Sequence, residues 1–178
     1  ESELFTLGAG RSVRYSNVLA EVFDLEPDAF GALIIEASSQ DLLAMGRIAN
    51  IVQDENGGSF GQSMPVVAIA DAIQYGERRR LLFGTEDADM RTNVGCFNAS
   101  DIATRVNFEL FAADGTSLGT DSLILMPWSS DQLNLIFDQY RPITGCVDFW
   151  TDIGGTQIYC YGSVLDNVTS DPTTIQPM

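Results

Sequence analysis

Oxygen-bearing side chains concentrate in one stretch near the end of the sequence. Asp166, Asn167 and Asp171 lie close together there, and Asp54 stands in a similar polar stretch earlier in the chain. Carboxylate and amide oxygens are the ligands that Ca²⁺ takes, so these residues are candidates for a calcium site. The spacing lacks the distal Glu of an EF-hand loop. The alternative is a set of Asx turns, in which the same oxygens accept backbone amide hydrogens. Calcium is the one cofactor that the sequence suggests.

Two further pairs of residues are typical of ligand recognition. Arg91 and Asn93 begin a predicted strand, where they suit a ligand carboxylate or sugar hydroxyls. Trp128 and Trp150 offer flat rings on which a sugar can stack. Each pair has a structural alternative. Arg91 pairs with a carboxylate such as Asp89 and Asn93 satisfies a turn backbone, while the two rings pack in the core or across strands.

The chain has three cysteines, Cys96, Cys146 and Cys160. Cys146 and Cys160 flank Gly154-Gly155, a pair typical of a hairpin turn. With a hairpin loop of odd length the two cysteines lie directly opposite each other and are candidates for a disulfide, which leaves Cys96 over. A two-residue loop offsets them by one position. The alternative is three free buried thiols.

The charged residues exclude many functions. The chain has no His, its nine basic residues are all Arg, and its formal net charge is -16. Without His or Lys it builds no Ser-His-Asp or Cys-His nucleophile, no zinc hydrolase site of the usual kind, no Schiff base and no Walker-type phosphate site. Carboxylates alone can hydrolyse glycosides, but Glu36, Glu109 and Asp148 lie inside predicted strands, where alternation places polar residues in solvent. We therefore expect no enzymatic activity.

The same composition limits the partners. A strongly negative field repels phosphate backbones, so we expect no nucleic-acid partner. No apolar run approaches the roughly 18–20 residues that a bilayer-spanning helix needs, so we expect no membrane insertion. Residues 1–7 carry no signal-peptide pattern, and we expect a mature protein or a part of a longer one.

Short apolar runs separated by turn residues predict an all-β chain of 178 residues. The regular spacing favours an antiparallel β-sandwich, Ig-like or jelly-roll-like, with short capping helices. The helices are predicted over 16–23 and 130–137, from a capping residue followed by helical apolar spacing. Hairpin turns are predicted at 38–41, 114–115 and 154–155, and strands at 32–36, 42–52, 65–73, 80–83, 92–97, 104–111, 117–125, 146–151 and 157–165.

The order of elements over 4–65 is similar to that over 91–177. We therefore predict one unit, 1–178, built from two half-repeats that residues 66–90 join. The second half has a leading hairpin, 104–125, that the first half lacks. A sheet without those strands exposes unpaired backbone groups, so we expect a homo-oligomer or filament held by sheet edges.

Several glycine-containing motifs resemble those of uncharacterised repeat modules in secreted bacterial proteins. The resemblance implies a β-sandwich, an extracellular or cell-surface location and a non-catalytic module, and it carries no active-site residues. The motifs are 58–62 with Pro65, 82–84, 91–95 with Asn98, 114–115 with 118–119, and 161–167 with 171–172.

These patterns favour a non-enzymatic structural or adhesive module of a secreted or surface-assembled bacterial protein. The alternative function is a carbohydrate- or calcium-dependent ligand-binding domain. An open sheet edge favours the first function, whereas a complete sheet with a concave aromatic face favours the second.

Overall fold

The chain divides into two compact units in the computed structural model, residues 1–34 and residues 35–178. The first unit carries one α-helix, and the strands of the described chain all lie in the second unit. Two stacked antiparallel sheets confirm the predicted all-β sandwich. The structure describes residues 3–26, 29–39, 41–52, 58–64 and 66–178.

The helix α1 (Val18–Phe23) confirms the first predicted helix. The Asn17 side chain accepts a hydrogen bond from the Ala20 amide at 3.2 Å. In return, the Glu21 carboxylate accepts from the Ser16 and Asn17 amides at 2.8 and 2.7 Å. This reciprocal capping satisfies amides that no helical carbonyl reaches.

Ten strands form in the described part of the second unit, and all their pairings are antiparallel. Two 3-10 turns, Ile69–Asp71 and Asp138–Tyr140, lie between strands. The strands are β1 (Gly46–Val52), β2 (Gly58–Met64), β3 (Arg78–Glu86), β4 (Met90–Asn98), β5 (Thr104–Ala112), β6 (Ser117–Leu125), β7 (Ser130–Leu133), β8 (Ile143–Thr151), β9 (Ile158–Asp166) and β10 (Pro172–Ile175).

The strands are arranged in two four-stranded sheets and one hairpin. The β4–β9 sheet has the order β10-β9-β4-β7, and the β5–β8 sheet has the order β3-β8-β5-β6. Strands β1 and β2 pair with each other. Between β3 and β10, consecutive strands pair only at β5–β6 and β9–β10. The other connections in that span carry the chain from one sheet to the other.

Alternate side chains of the two sheets fill the space between them. Val106 and Phe149 of the β5–β8 sheet and Val94 of the β4–β9 sheet are fully buried in one cluster. The sheets pack closely at Gly162, where an added Cβ would come within 2.5 Å of the Leu81 side chain. Glycine at this position therefore sets the packing distance between the sheets locally.

Three segments predicted as strands or turns differ from the structure. Residues 32–36 form no strand and are exposed. Of the segment 65–73, residues 66–68 form no strand and 69–71 form a 3-10 turn, while residue 65 lies outside the described residues. The hairpin predicted at 38–41 joins no pair of strands, and residue 40 lies outside the described residues. An apolar run becomes a strand only where a neighbouring strand accepts its backbone hydrogen bonds.

The second predicted helix, 130–137, is wrong. Residues 130–133 form strand β7, which pairs with β4, and the chain then turns. The apolar spacing suited a helix, but the Leu135 amide bonds the Asn93 side chain and the Ile136 amide bonds the Thr92 carbonyl. Tertiary pairing overrides a helical pattern of this length.

The predicted Cys146–Cys160 disulfide is also wrong. Cys160 bonds Cys96, its direct register partner on β4, and their Cα atoms are 4.1 Å apart. Cys146 lies on β8 in the other sheet and is a free thiol. The Gly154-Gly155 turn connects the two sheets instead of closing a hairpin within one sheet.

The predicted half-repeats remain a sequence prediction. The β1–β2 and β9–β10 hairpins have matching positions for Gly46 and Gly162, which pair with Met64 and Ile175. However, β9 also pairs with β4, whereas β1 has one partner strand among the described residues.

Candidate functional site

The predicted ligand residues Arg91 and Asn93 both hold neighbouring loops. The Arg91 guanidinium donates to Asn167 Oδ1 at 3.0 Å. Asn93 is largely buried, and its Oδ1 accepts from the Leu135 amide at 3.1 Å. Their hydrogen-bonding groups therefore fix the β9–β10 loop and the turn after β7. Asn93 bonds a turn backbone, whereas Arg91 bonds an amide oxygen and not the predicted carboxylate of Asp89.

The predicted calcium residues of the β9–β10 loop organise that loop themselves. Asp166 Oδ1 accepts from the amides of Thr169 and Val168 at 2.7 and 2.8 Å. These bonds favour the ionised form and lower the pKa of Asp166 from its usual 3.8. Asp171 is exposed, and Asp54 lies outside the described residues. In the described part of the chain, no group of three or more acidic, Cys or His residues is placed to hold a metal.

The two tryptophans contact different partners. Trp150 lies on the outer face of the β5–β8 sheet, where the Arg78 guanidinium covers its ring at 3.7 Å from the centroid. Trp128 follows β6, is 48% exposed, and donates its indole N–H to Asp101 Oδ1 at 2.7 Å. Trp150 is thus engaged by a cation, and Trp128 is the ring with a wide solvent-facing surface.

Ion pairs close the outer face of the β5–β8 sheet. Arg80 donates two hydrogen bonds to the carboxylate of Asp148, at 2.5 and 2.9 Å, and Arg78 donates to Glu109 at 3.2 Å. The hydrogen bond and charge of Asp148 raise the pKa of the Arg80 guanidinium. The carboxylates that sequence analysis considered for glycoside hydrolysis on this face, Glu109 and Asp148, are therefore bound to arginines.

Three of the four outer edges of the two sheets are covered or short. On β3, the backbone of Arg80 exchanges two hydrogen bonds with Met178, at 2.9 and 3.0 Å. Further along β3, the Thr92 hydroxyl bonds both the amide and the carbonyl of Thr85. Strand β10 lies beside β2, and β7 has only four residues.

The outer edge of β6 is open. No backbone hydrogen bond joins it to another segment in the described part of the chain. The Ser122 amide donates to the Asp121 carboxylate at 2.8 Å, so it faces away from β5. Because bonding positions alternate along an antiparallel strand, Thr120 and Ile124 also direct their backbone groups outward. Strand β6 therefore presents a row of outward backbone groups. Its Ser122 amide is bonded to the Asp121 side chain, and its Leu118 carbonyl accepts from the Tyr140 hydroxyl at 2.7 Å.

One end of the sandwich gathers three loops around a buried side chain that sequence analysis missed. Asn98 is fully buried, and its Nδ2 donates to the carbonyls of Ile102 and Met126 at 2.9 and 3.0 Å. The next amide, Ala99, donates to the Gln157 carbonyl of the β8–β9 loop at 2.8 Å. These bonds fix the β4–β5, β6–β7 and β8–β9 loops together. The only signal for this role is an Asn that ends an apolar run.

Comparisons with known proteins add little. No helix among the described residues is long and apolar enough to cross a membrane. No protein-family model matches the chain, and no curated protein matches it. A solved structure described as Thermotoga maritima 1070 aligns with 56% of this chain and 90% of its own length, at 13% identity and a TM-score of 0.42. A likeness at that level establishes neither a shared fold nor a shared function.

Proposed function

We propose that the chain is a non-enzymatic structural or adhesive module of a secreted or surface-assembled protein, whose copies associate through the outer edge of β6. The observation that carries the proposal is this edge: nine residues long, with outward backbone groups at Thr120, Ser122 and Ile124. An exposed edge of this length is a template for pairing with another strand.

Two other observations support a location outside the reducing interior of a cell. Cys96 and Cys160 form a disulfide, and disulfides persist in oxidising compartments. The motifs described above resemble modules of secreted proteins. A binding role also agrees with the residues present, because the chain has no His or Lys and its outer-face carboxylates are paired with arginines.

Charge opposes this association at low ionic strength. Each copy brings Asp121 to the edge and a formal net charge of -16. The Asp121 carboxylate also occupies the Ser122 amide, which must be released before a neighbouring strand pairs with it. Screening shortens the range of repulsion from about 10 Å at 0.1 M salt to about 3 Å at 1 M. We therefore expect association to strengthen with salt.

Light scattering after size-exclusion chromatography tests the proposal. The wild-type chain is expected to gain mass with concentration and with salt. Ser122→Pro removes an outward amide and should abolish the gain, whereas Ser122→Ala keeps the amide and should associate like the wild type. Asp121→Asn removes a charge and should associate at lower concentration. A wild-type chain that stays monomeric at every concentration and salt level, with Asp121→Asn also monomeric, would refute the proposal.

The alternative function, a carbohydrate- or calcium-dependent ligand-binding domain, has less support. Three of the residues proposed for it are held in structural bonds, namely Arg91 to Asn167, Asn93 to Leu135 and Asp166 to its own loop.

A further inference from the structure

A solvent-facing apolar patch lies at the end of the sandwich where the three loops meet. We name it the loop-end patch and define it by Ile102, Ile124, Met126, Trp128 and Ile153, with Asp101 and Asp152 beside them. The four largest exposures in it are 44% for Ile102, 67% for Ile124, 62% for Met126 and 48% for Trp128. Ile124, Asp152 and Ile153 line a shallow hollow of about 280 Å³ together with residues 103–105. Exposed apolar side chains on loops that are held together are a candidate interaction site.

Hydrogen bonds hold several parts of the loop-end patch in place. The Asn98 side chain fixes the backbone at Ile102 and Met126. Trp128 has a left-handed backbone, with φ 56°, which costs a bulky residue about 1–2 kcal/mol. Its indole is nevertheless bonded to Asp101, so this conformation presents the ring to solvent in a fixed orientation. Rigid apolar anchors of this kind lose little side-chain entropy on binding.

Charge indicates what such a partner must carry. The carboxylates of Asp101 and Asp152 flank the apolar side chains, and both are exposed. Arg105 is the one basic residue lining the hollow, and the whole chain has a formal net charge of -16. An acidic rim on an acidic protein attracts cations and repels anionic surfaces.

We propose that the loop-end patch is a docking surface for a basic protein segment that carries large apolar side chains. The apolar anchors of that segment pack on Met126 and Trp128, and its Arg or Lys residues face Asp101 and Asp152. This inference goes beyond the proposed function, because it concerns the side chains of the loop end and a different partner; the two surfaces share Ile124 of β6.

A fluorescence titration tests this docking. The chain contains two Trp residues, so Trp150→Phe leaves Trp128 as the single reporter in the loop-end patch. The probe is a ten-residue peptide of alternating Arg and Leu. A Glu–Leu peptide reverses its charge and an Arg–Ser peptide removes its apolar side chains. We expect a saturable change in Trp128 emission with the Arg–Leu peptide and none with the other two.

Variants locate the binding. Met126→Ser should weaken binding of the Arg–Leu peptide at least tenfold, while Val168→Ser, at a still more exposed apolar residue in the β9–β10 loop, should bind like the parent. Asp101→Asn removes one charge while its Oδ1 can still accept the Trp128 indole N–H, and should weaken binding several-fold. If Met126→Ser does not fold, Asp101→Asn alone provides the comparison.

Four results would overturn the inference. They are no emission change with the Arg–Leu peptide, equal binding of the Glu–Leu or Arg–Ser peptide, parental affinity in both Met126→Ser and Asp101→Asn, or binding of phosphatidylserine vesicles in place of the peptide.

Discussion

Removing the disulfide should cost the chain a large part of its stability. Cys96 and Cys160 are separated by 64 residues, and the cross-link restricts the unfolded chain over that length. Loop-closure entropy for a loop of this size corresponds to about 4 kcal/mol at 25 °C. Cys96 is also buried, so truncation to Ala adds a small packing loss. We therefore expect the double variant Cys96→Ala/Cys160→Ala to lose about 4 kcal/mol in the free energy of unfolding.

Guanidinium denaturation under non-reducing conditions measures this loss. The matched control is Cys146→Ala, which removes a free, half-buried thiol from β8 and should cost less than about 1 kcal/mol. Adding a reductant should lower the stability of the wild type and of Cys146→Ala but leave the double variant unchanged. A Cys146→Ala variant that loses as much stability as the double variant would contradict the Cys96–Cys160 pairing.

Four further predictions follow from single contacts. Glu86→Ala should cost about 2–4 kcal/mol in a denaturation assay, because it strips the buried acceptor of the Phe137 amide, and Glu86→Gln should cost less. Gly162→Ala should cost about 1–3 kcal/mol, since its methyl group meets Leu81. NMR titration should place the pKa of Asp166 below 3.8. The ionised Asp166 carboxylate then stabilises the fold above pH 3.8, and this stabilisation is lost as the pH falls through the lowered pKa. Asp166→Asn should therefore make the stability of the fold depend less on pH in acid. Millimolar Ca²⁺ should leave the melting temperature unchanged, and a clear rise would instead favour the calcium-dependent alternative.

The local sequence pattern was enough to predict strands that pair with the next strand along the chain and strands in which apolar and polar residues alternate. The hairpin at Asp114-Gly115 is confirmed, with φ 86° at Gly115, and β6 spans the residues predicted for it. The hairpin turn is encoded by the two residues that form it, because the left-handed conformation selects Gly.

The local sequence pattern did not predict which strands pair when they are far apart in the chain. Gly154-Gly155 has the composition of a hairpin turn, yet it joins β8 to β9 across the two sheets. The partner of Cys160 is therefore set by which strand lies beside β9, and that strand is β4. Turn chemistry specifies a reversal of direction, but the sheet that the next strand enters depends on the packing of the whole core.

For the candidate site residues too, the residue types could be recognised in the sequence but their partners could not. Arg91 and Asn93 were recognised as polar residues in a strand, but their partners lie 76 and 42 residues away. Asn98 appears in one of the sequence motifs, but its structural role was not predicted, because that role depends on two carbonyls that the fold brings together. Buried polar groups of this kind are identified by their hydrogen-bond partners, which only the folded chain reveals.

Hydrogen exchange in β6, measured at rising protein concentration, tests the central claim most directly. If copies pair through this edge, the peptide covering Ser117–Leu125 should gain protection in parallel with the increase in mass, because the amides of Thr120, Ser122 and Ile124 acquire partners. The exposed loop at Val168 should exchange at the same rate throughout. A gain in mass without added protection in β6 would place the contact on another surface and contradict the account.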